Sequence, residues 1–374
     1  MSSSGQVKLK EFAELVNQPY QPSSDENINY IGLEHIEQQT LRLNGIGNSS
    51  DVISQKHKFR AGDILFGKLR PYFRKVVRPS FDGVCSTDIW VVRAKPGFDQ
   101  SFLFYFLANK SFIDECNSSS SGTRMPRADW NHLSETLWEL PTLPEQKRIA
   151  EILSALDDKI ELNRQTNVTL EAIAQAIFKE WFVDFNYPGA TGELVDTPLG
   201  PIPKGWRVGI LGDLVNISSG KGLSKKQFQE EGYPILGANG RIGFTDNYLC
   251  NEEVILTGRV GTLGTFQLVH TEVWISDNVL IMKPSKRENY YFTYFWIKTV
   301  DFQSLNRGST QPLVTKTDLL NLQVLIPSSE ELSSFDCISR SLFNTLSNNN
   351  QQTATLSEIR DAILPKLMSG EIEV

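Results

Sequence analysis

Two stretches of the chain repeat apolar residues at steps of three and four over about 38 residues each, 145–182 and 331–368. In the first, the predicted inward positions are Ile149, Ile152, Leu156, Ile160, Asn163, Asn167, Leu170, Ile173, Ile177 and Trp181. In the second they are Phe335, Ile338, Leu342, Leu346, Asn349, Thr353, Leu356, Ile359, Ile363 and Leu367. A mean step of about 3.5 predicts a helix packed on a helix. Two separate amphipathic helices, each lying on its own domain, are the alternative. Thr142-Leu-Pro-Glu145 and Ser328-Ser-Glu-Glu331 fit the capping box, in which a hydroxyl and a carboxylate satisfy the first free N–H groups. Pro144 falls in the first turn, where it is tolerated, whereas Pro365 is expected to kink or end the second helix early. At 1.5 Å per residue, each helix would run about 57 Å.

Elsewhere the pattern shortens. Asp63–Phe66, Asp88–Val92, Glu253–Leu256 and Asn278–Met282 read as strands, bounded by turn residues such as Gly83, Gly258 and Gly261. Phe102–Ala108 and Tyr290–Lys298 read as shorter helices, and 184–206, rich in Pro and Gly, reads as an irregular linker.

The chain also repeats itself. Shifted by 186 positions, residues 122–182 lie on 308–368 without a gap and share 14 identities in 61 positions, too many for chance. Among them are Ile152/Ile338, Leu156/Leu342, Asn163/Asn349, Leu170/Leu356, Ile173/Ile359 and Ile177/Ile363. Upstream, CSTDIWVVRAKP (85–96) resembles WISDNVLIMKPS (274–285), and LKEF (9–12) resembles LGDL (211–214). The fold expected is mixed α/β: two α/β domains separated by a pair of long antiparallel helices, related by an approximate two-fold axis. The segments are 1–141, the helix 142–183, the linker 184–206, a second domain 207–327, and the helix and tail 328–374. Antiparallel pairing brings the helix midpoints together, so Asn163 and Asn349 should approach near the dyad, with Asn167 and Thr353 beside them. A buried Asn can fix register at some cost in stability.

A composition of 40% hydrophobic and 22% charged residues suits an ordinary folded protein. No apolar run reaches the roughly 20 residues of a membrane span. MSSSGQVKLK lacks the apolar core of a secretory signal, so the cytoplasm is the expected compartment. Cys85, Cys116, Cys250 and Cys337 form no paired spacing, and His35, His57, His132 and His270 are scattered, so neither disulfides nor a metal are expected.

A net charge of −7 speaks against nucleic acid, yet residues 51–80 hold eight basic residues against two acidic ones. Lys56, Lys58, Arg60, Lys68, Arg70, Arg74 and Lys75 are candidate DNA contacts there, interleaved with Phe59, Phe66, Tyr72 and Phe73. Arg124 and Arg127 follow the Ser-rich run NSSSSGTR. The second copy offers Lys221, Lys225, Lys226, Arg241, Arg259 and Arg307, more dispersed. A merely solvated charged face is the competing reading for all of these. Catalytic motifs are near misses. Asn17-Gln-Pro-Tyr20 has Gln18 where an adenine methyltransferase has proline, and only 16 residues precede it. In SSGKGLSKK (218–226), Gly222 stands where a phosphate loop needs Ser or Thr.

Two dissimilar domains, each followed by a long helix opening as LPTLPEQKRIAEIL does, resemble the specificity subunits of type I restriction–modification enzymes. ILPKLMSGEIEV, PEQKRIAEILSALDDKIELN, GYPILGANGRIGFTDNYL and YIGLEHIE are similar to segments of that family. The resemblance implies target-recognition domains at 1–141 and 207–327 and a non-catalytic, DNA-binding subunit that reads a two-part asymmetric site. The periodicity places the helix-pair interface at Ile149, Leu156, Ile160, Asn163, Leu170, Ile177, Leu342, Leu346, Asn349, Leu356 and Ile363. Methyltransferase subunits using S-adenosylmethionine would dock on the helices. Nuclease/translocase subunits consuming ATP with Mg2+ would join them, leaving no cofactor in this chain. The second helix departs from the pattern, with LSSFDCIS where the first has QKRIAEIL. A self-sufficient methyltransferase and a helical interaction scaffold are the alternatives.

Overall fold

The computed structural model describes residues 6–120, 125–260, 263–308 and 313–374. The chain divides into two units, Met1–Arg164 with Asn349–Val374, and Gln165–Asn348. The division falls inside both long helices, Leu143–Phe182 and Ser329–Met368, so each unit holds half of each helix.

Both helices start as their sequences predict. The Thr142 N–H and hydroxyl donate to the Glu145 carboxylate at 2.7 and 2.6 Å, and the Ser328 hydroxyl donates to Glu331. The second helix does not end early at Pro365 but runs on to Met368. Proline removes one N–H near a terminus, and the buried side chains on either side, Leu364 and Leu367, hold the last turns in place.

In the first unit the four-stranded sheet has the order Ala13–Leu15, Ile89–Ala94, Ile64–Gly67, Val76–Val77, antiparallel throughout. In the second the order is Val215–Ser219, Val279–Pro284, Val254–Gly258, Phe266–Val269, again antiparallel. Val, Ile and Leu dominate the inner strands because both faces are covered. Each unit adds a two-stranded pair, Gln6–Lys8 with Leu137–Glu139 and Arg207–Ile210 with Gln323–Ile326. Each also has a second sheet with one parallel pairing, Asn29–Ile31 with Gly83–Ser86 and Tyr233–Gly237 with Trp274–Ile275. The repeat read in the helices therefore extends through the four-stranded sheets and two-stranded pairs, while the second sheets differ, with five strands in the first unit and three in the second among the described residues.

A short apolar helix fills each core, Gln100–Ala108 in one unit and Asn289–Ile297 in the other. Almost every side chain in these helices is buried, so they have sheet on one side and long helix on the other. The expected linker is a correction. Residues 194–203 form a hairpin, Leu194–Thr197 with Gly200–Pro203. Ile202 and Trp206 are buried in the core of the second unit, and the Tyr187 ring stacks on Trp206. Apolar side chains among the Pro and Gly anchor this segment.

In each unit the half-helices run antiparallel. In the first, Asp157 meets Arg360 and Asn163 meets Gln352; in the second, Phe178 meets Phe335 and Asn167 reaches Leu346. Asn163 is 2% exposed and donates to Gln352 Oε1 at 2.9 Å, with Asn349 O and Thr353 Oγ1 each at 3.4 Å. Asn349 thus meets Asn163 through its main-chain carbonyl.

The predicted inward face needs correction. Ile152, Ile338, Ile173 and Ile359 lie outward, at 38%, 37%, 43% and 43% exposed. Leu153, Ala174 and Phe178 are buried instead. Identity between copies marks a shared role, and for these two isoleucine pairs that role is on the surface.

Candidate nucleic-acid interface

In the first unit the basic segment splits by what its side chains meet. Lys56 is 4% exposed, and its ammonium donates to Ser54 O at 2.7 Å and Ser54 Oγ at 2.6 Å. A buried lysine must be satisfied internally, so its expected surface role is corrected. Arg74 forms an ion pair with Asp361 at 2.8 Å and is largely buried, so it ties the domain to the long helix. Lys75 donates to the Leu33 carbonyl at 2.5 Å. These three cations serve the fold.

Of the others, Lys58 and Arg60 are at the surface, while Lys68 and Arg70 are half-buried, the Arg70 Nε fully so. Lys58 lies 5.0 Å over the Tyr20 ring, and Arg60 is exposed. Arg70 and Arg74 hold left-handed backbones, φ 51° and 49°, on either side of the turn Pro71–Phe73. Such conformations are costly for side chains with a Cβ and persist only where neighbours hold them, here with the Arg70 N–H donating to the Pro126 carbonyl at 2.7 Å. Arg127 is bidentate on Asp88 at 3.0 and 3.4 Å and still 45% exposed. Arg124 lies outside the described residues.

Lys68 leaves the strand Ile64–Gly67 beside a cavity of about 170 Å3. Asn17, His57 and Thr87 supply its polar lining, over a floor that includes Ile89 and Trp90. His57 Nδ1 is buried without a partner among the described residues. Burial and, after it, the Lys68 charge push the imidazole below its ordinary pKa. Gly67 sits tightly here: a Cβ would come within 2.8 Å of Leu33 Cδ2 and 3.2 Å of Lys75 Cβ, so both neighbours would have to give way.

In the second unit Lys221, Lys225, Lys226, Arg241 and Arg259 are all exposed. Arg241 lies 4.7 Å over the Phe244 ring, and Arg307 pairs with Asp318 while remaining exposed. Of the residues expected between the helices, Ile149, Ile160 and Asn163 are buried; Leu156, Leu170, Ile177, Leu342, Leu346, Asn349, Leu356 and Ile363 are half-buried.

The model of the family "type I restriction modification DNA specificity domain" matches residues 1–172 and 203–359, one match for each copy of the repeat. The chain belongs to this family. A type I restriction enzyme specificity subunit of Methanocaldococcus jannaschii is 29% identical over 75% of this chain and 71% of its own length. Another, the HindI specificity subunit of Haemophilus influenzae, is 26% identical over 87% of this chain and 90% of its own. The fold is shared with the crystal structure of a type I S subunit from M. genitalium, at a TM-score of 0.60 and 17% identity, covering 97% of this chain and 95% of that one.

Within this specificity-subunit fold, one buried cluster escaped the sequence pattern. Arg360 is 1% exposed, and its guanidinium donates to Asp157 Oδ1 at 2.7 Å and to the Thr40 carbonyl at 3.4 Å. It also pairs with Asp361 at 3.1 Å, and Tyr105 donates to Asp157 at 2.8 Å. Burial, then Asp157, hold the Tyr105 phenol well above its ordinary pKa, so it remains a donor. A single apolar period gives no sign of a buried arginine; the adjacent Arg360–Asp361 pair, closely following the uncharged run 341–357, was the available signal.

Proposed function

We propose that this chain is the DNA-reading specificity subunit of a type I restriction–modification complex, recognising a two-part asymmetric sequence with one domain per half. The supporting observation is the repetition of one sheet order in two domains whose exposed residues differ. One backbone plan with two surfaces suits two different half-sites separated by an unread spacer. Base readout depends on the side chains that reach groove edges, and these are what differ.

The outward isoleucines support a partner role for the helices. Ile152 and Ile359 in the first unit, and Ile173 and Ile338 in the second, occupy identical repeat positions. Exposed apolar residues kept in both copies suit two identical partners, one for each unit, and we assign them to the methyltransferase subunits. S-adenosylmethionine then belongs to those partners, and ATP with Mg2+ to the nuclease/translocase subunits. This chain contributes recognition rather than bond-making. Mapping adenine methylation in a genome carrying this gene and its methyltransferase tests the reading. A two-part motif with a fixed unread gap is expected, and a continuous short motif, or none attributable to the gene, would overturn it.

A further inference from the structure

In both domains the chain leaves its central buried strand on a glycine and at once presents a cation, Gly67-Lys68 in one and Gly258-Arg259 in the other. The surrounding backbone is the same. The Lys68 N–H donates to the Asp88 carbonyl at 3.0 Å, and Ala128 N–H donates to the Lys68 carbonyl at 3.0 Å. The Arg259 N–H donates to the Asn278 carbonyl at 2.9 Å, and Val314 N–H donates to the Arg259 carbonyl at 3.2 Å. The next residues bridge in the same way, Leu69 to Arg127 and Val260 to Leu313. Two hydrogen bonds and a bridge therefore fix both cations at one position in the fold. Among the described residues neither side chain has a hydrogen bond or an ion pair, unlike Arg74, Arg127 and Arg307.

The neighbours of these cations are not alike. Beside Lys68 lies the cavity lined by Asn17, His57 and Thr87, and the His57 Nδ1 is itself buried without a partner among the described residues. By these hydrogen bonds Asp88 corresponds to Asn278, one position off the sequence alignment of 85–96 with 274–285, so the second domain has Asp277 at the position of Thr87, both exposed. An unpaired buried ring nitrogen is costly and is relieved by a ligand that bonds it. The imidazole, held neutral by burial and then by Lys68, offers one donor and one acceptor, as a base edge requires.

A contact common to domains that read different sequences must meet what the half-sites share, the phosphate backbone. Contacts that differ meet what differs, the bases. Resting on the DNA-reading function above, we propose that Lys68 and Arg259 are equivalent phosphate contacts, one per half-site, and that the cavity at His57 receives a base edge in the first half-site only.

The full chain is titrated with a random-sequence duplex over a series of KCl concentrations. Lys68→Gln and Arg259→Gln should each flatten the plot of log affinity against log salt by about one unit, and the double variant by about two. Lys68→Arg should keep the wild-type slope, which separates charge loss from misfolding. His57→Gln should leave the slope unchanged and, in the assembled methyltransferase, relax the methylated motif in one half alone. Wild-type chain without salt-dependent duplex binding would overturn the DNA-reading function itself. Wild-type binding whose slope ignores Lys68→Gln or Arg259→Gln would overturn the shared phosphate contact and leave that function standing. A methylated motif unchanged by His57→Gln would remove the base-edge assignment.

Discussion

The two units solve the same packing problem with opposite chemistry. Where short helix meets long helices in the first unit, Asp157 and Arg360 form a buried charge pair completed by Tyr105, Thr40 and Asp361. The repeat places Phe343 and Ala174 at the corresponding positions of the second unit, and both lie in its apolar core. There the Phe343 ring packs on Tyr291 at 4.9 Å and Phe295 at 6.1 Å, while Phe178, Phe292 and Phe335 fill the rest. The tyrosine equivalent to Tyr105, Tyr294, donates instead to Glu171 at 3.1 Å, which also pairs with Lys298 at 2.8 Å. Both members of the pair change together between copies. Geometry is thus preserved by exchanging a directional ionic contact for a non-directional apolar one.

The energetics of the two solutions differ. A buried ion pair roughly breaks even against apolar packing, but losing one partner leaves an uncompensated charge. Arg360→Ala should therefore destabilise the chain by about 3 kcal/mol, the lower end of the usual range because Asp157 retains some exposure. Importing the chemistry of the second unit with Asp157→Phe and Arg360→Ala together should restore most of that loss in urea unfolding. A double variant as unstable as the single one would show that the two junctions are not interchangeable.

A smaller effect concerns pH. Burial alone would raise the Glu171 carboxyl, but the Lys298 ammonium and Tyr294 hydroxyl outweigh it and hold the pKa below its ordinary value. A depressed carboxylate contributes stability above its unfolded pKa, near 4.3, and loses it as pH falls through the folded value. Since both groups are about one-third exposed, the contribution should stay under about 1 kcal/mol. Thermal unfolding between neutral pH and the acid side of that range should show Glu171→Gln approaching wild type as pH falls. A gap that widens on acidification would contradict the assigned direction.

The helices, their caps and the main strands were legible because periodicity and punctuation agree at each. The repeat extended that reading to the whole architecture. The inward face was misjudged at Ile152 and Ile173 because an apolar identity can serve a partner as well as a core. The 184–206 segment looked irregular because its Pro and Gly outweighed Ile202 and Trp206, the two residues that anchor it. Lys56 and Arg74 looked like surface cations, since a linear charge count cannot tell an ammonium over a ring or a guanidinium on a distant aspartate from one in water. The cavity at His57 joins segments far apart in sequence, from Leu15 to Val91, and no local motif announces it.

If one backbone plan with two surfaces is what gives a two-part target, the domains should be exchangeable one at a time. Residues 207–327 can be replaced by the corresponding domain of another specificity subunit, and the methylated motif mapped in cells carrying the matching methyltransferase. One half of the motif should change to that of the donor, while the other half is retained. A motif altered in both halves, or unchanged in either, would contradict independent reading by the two domains.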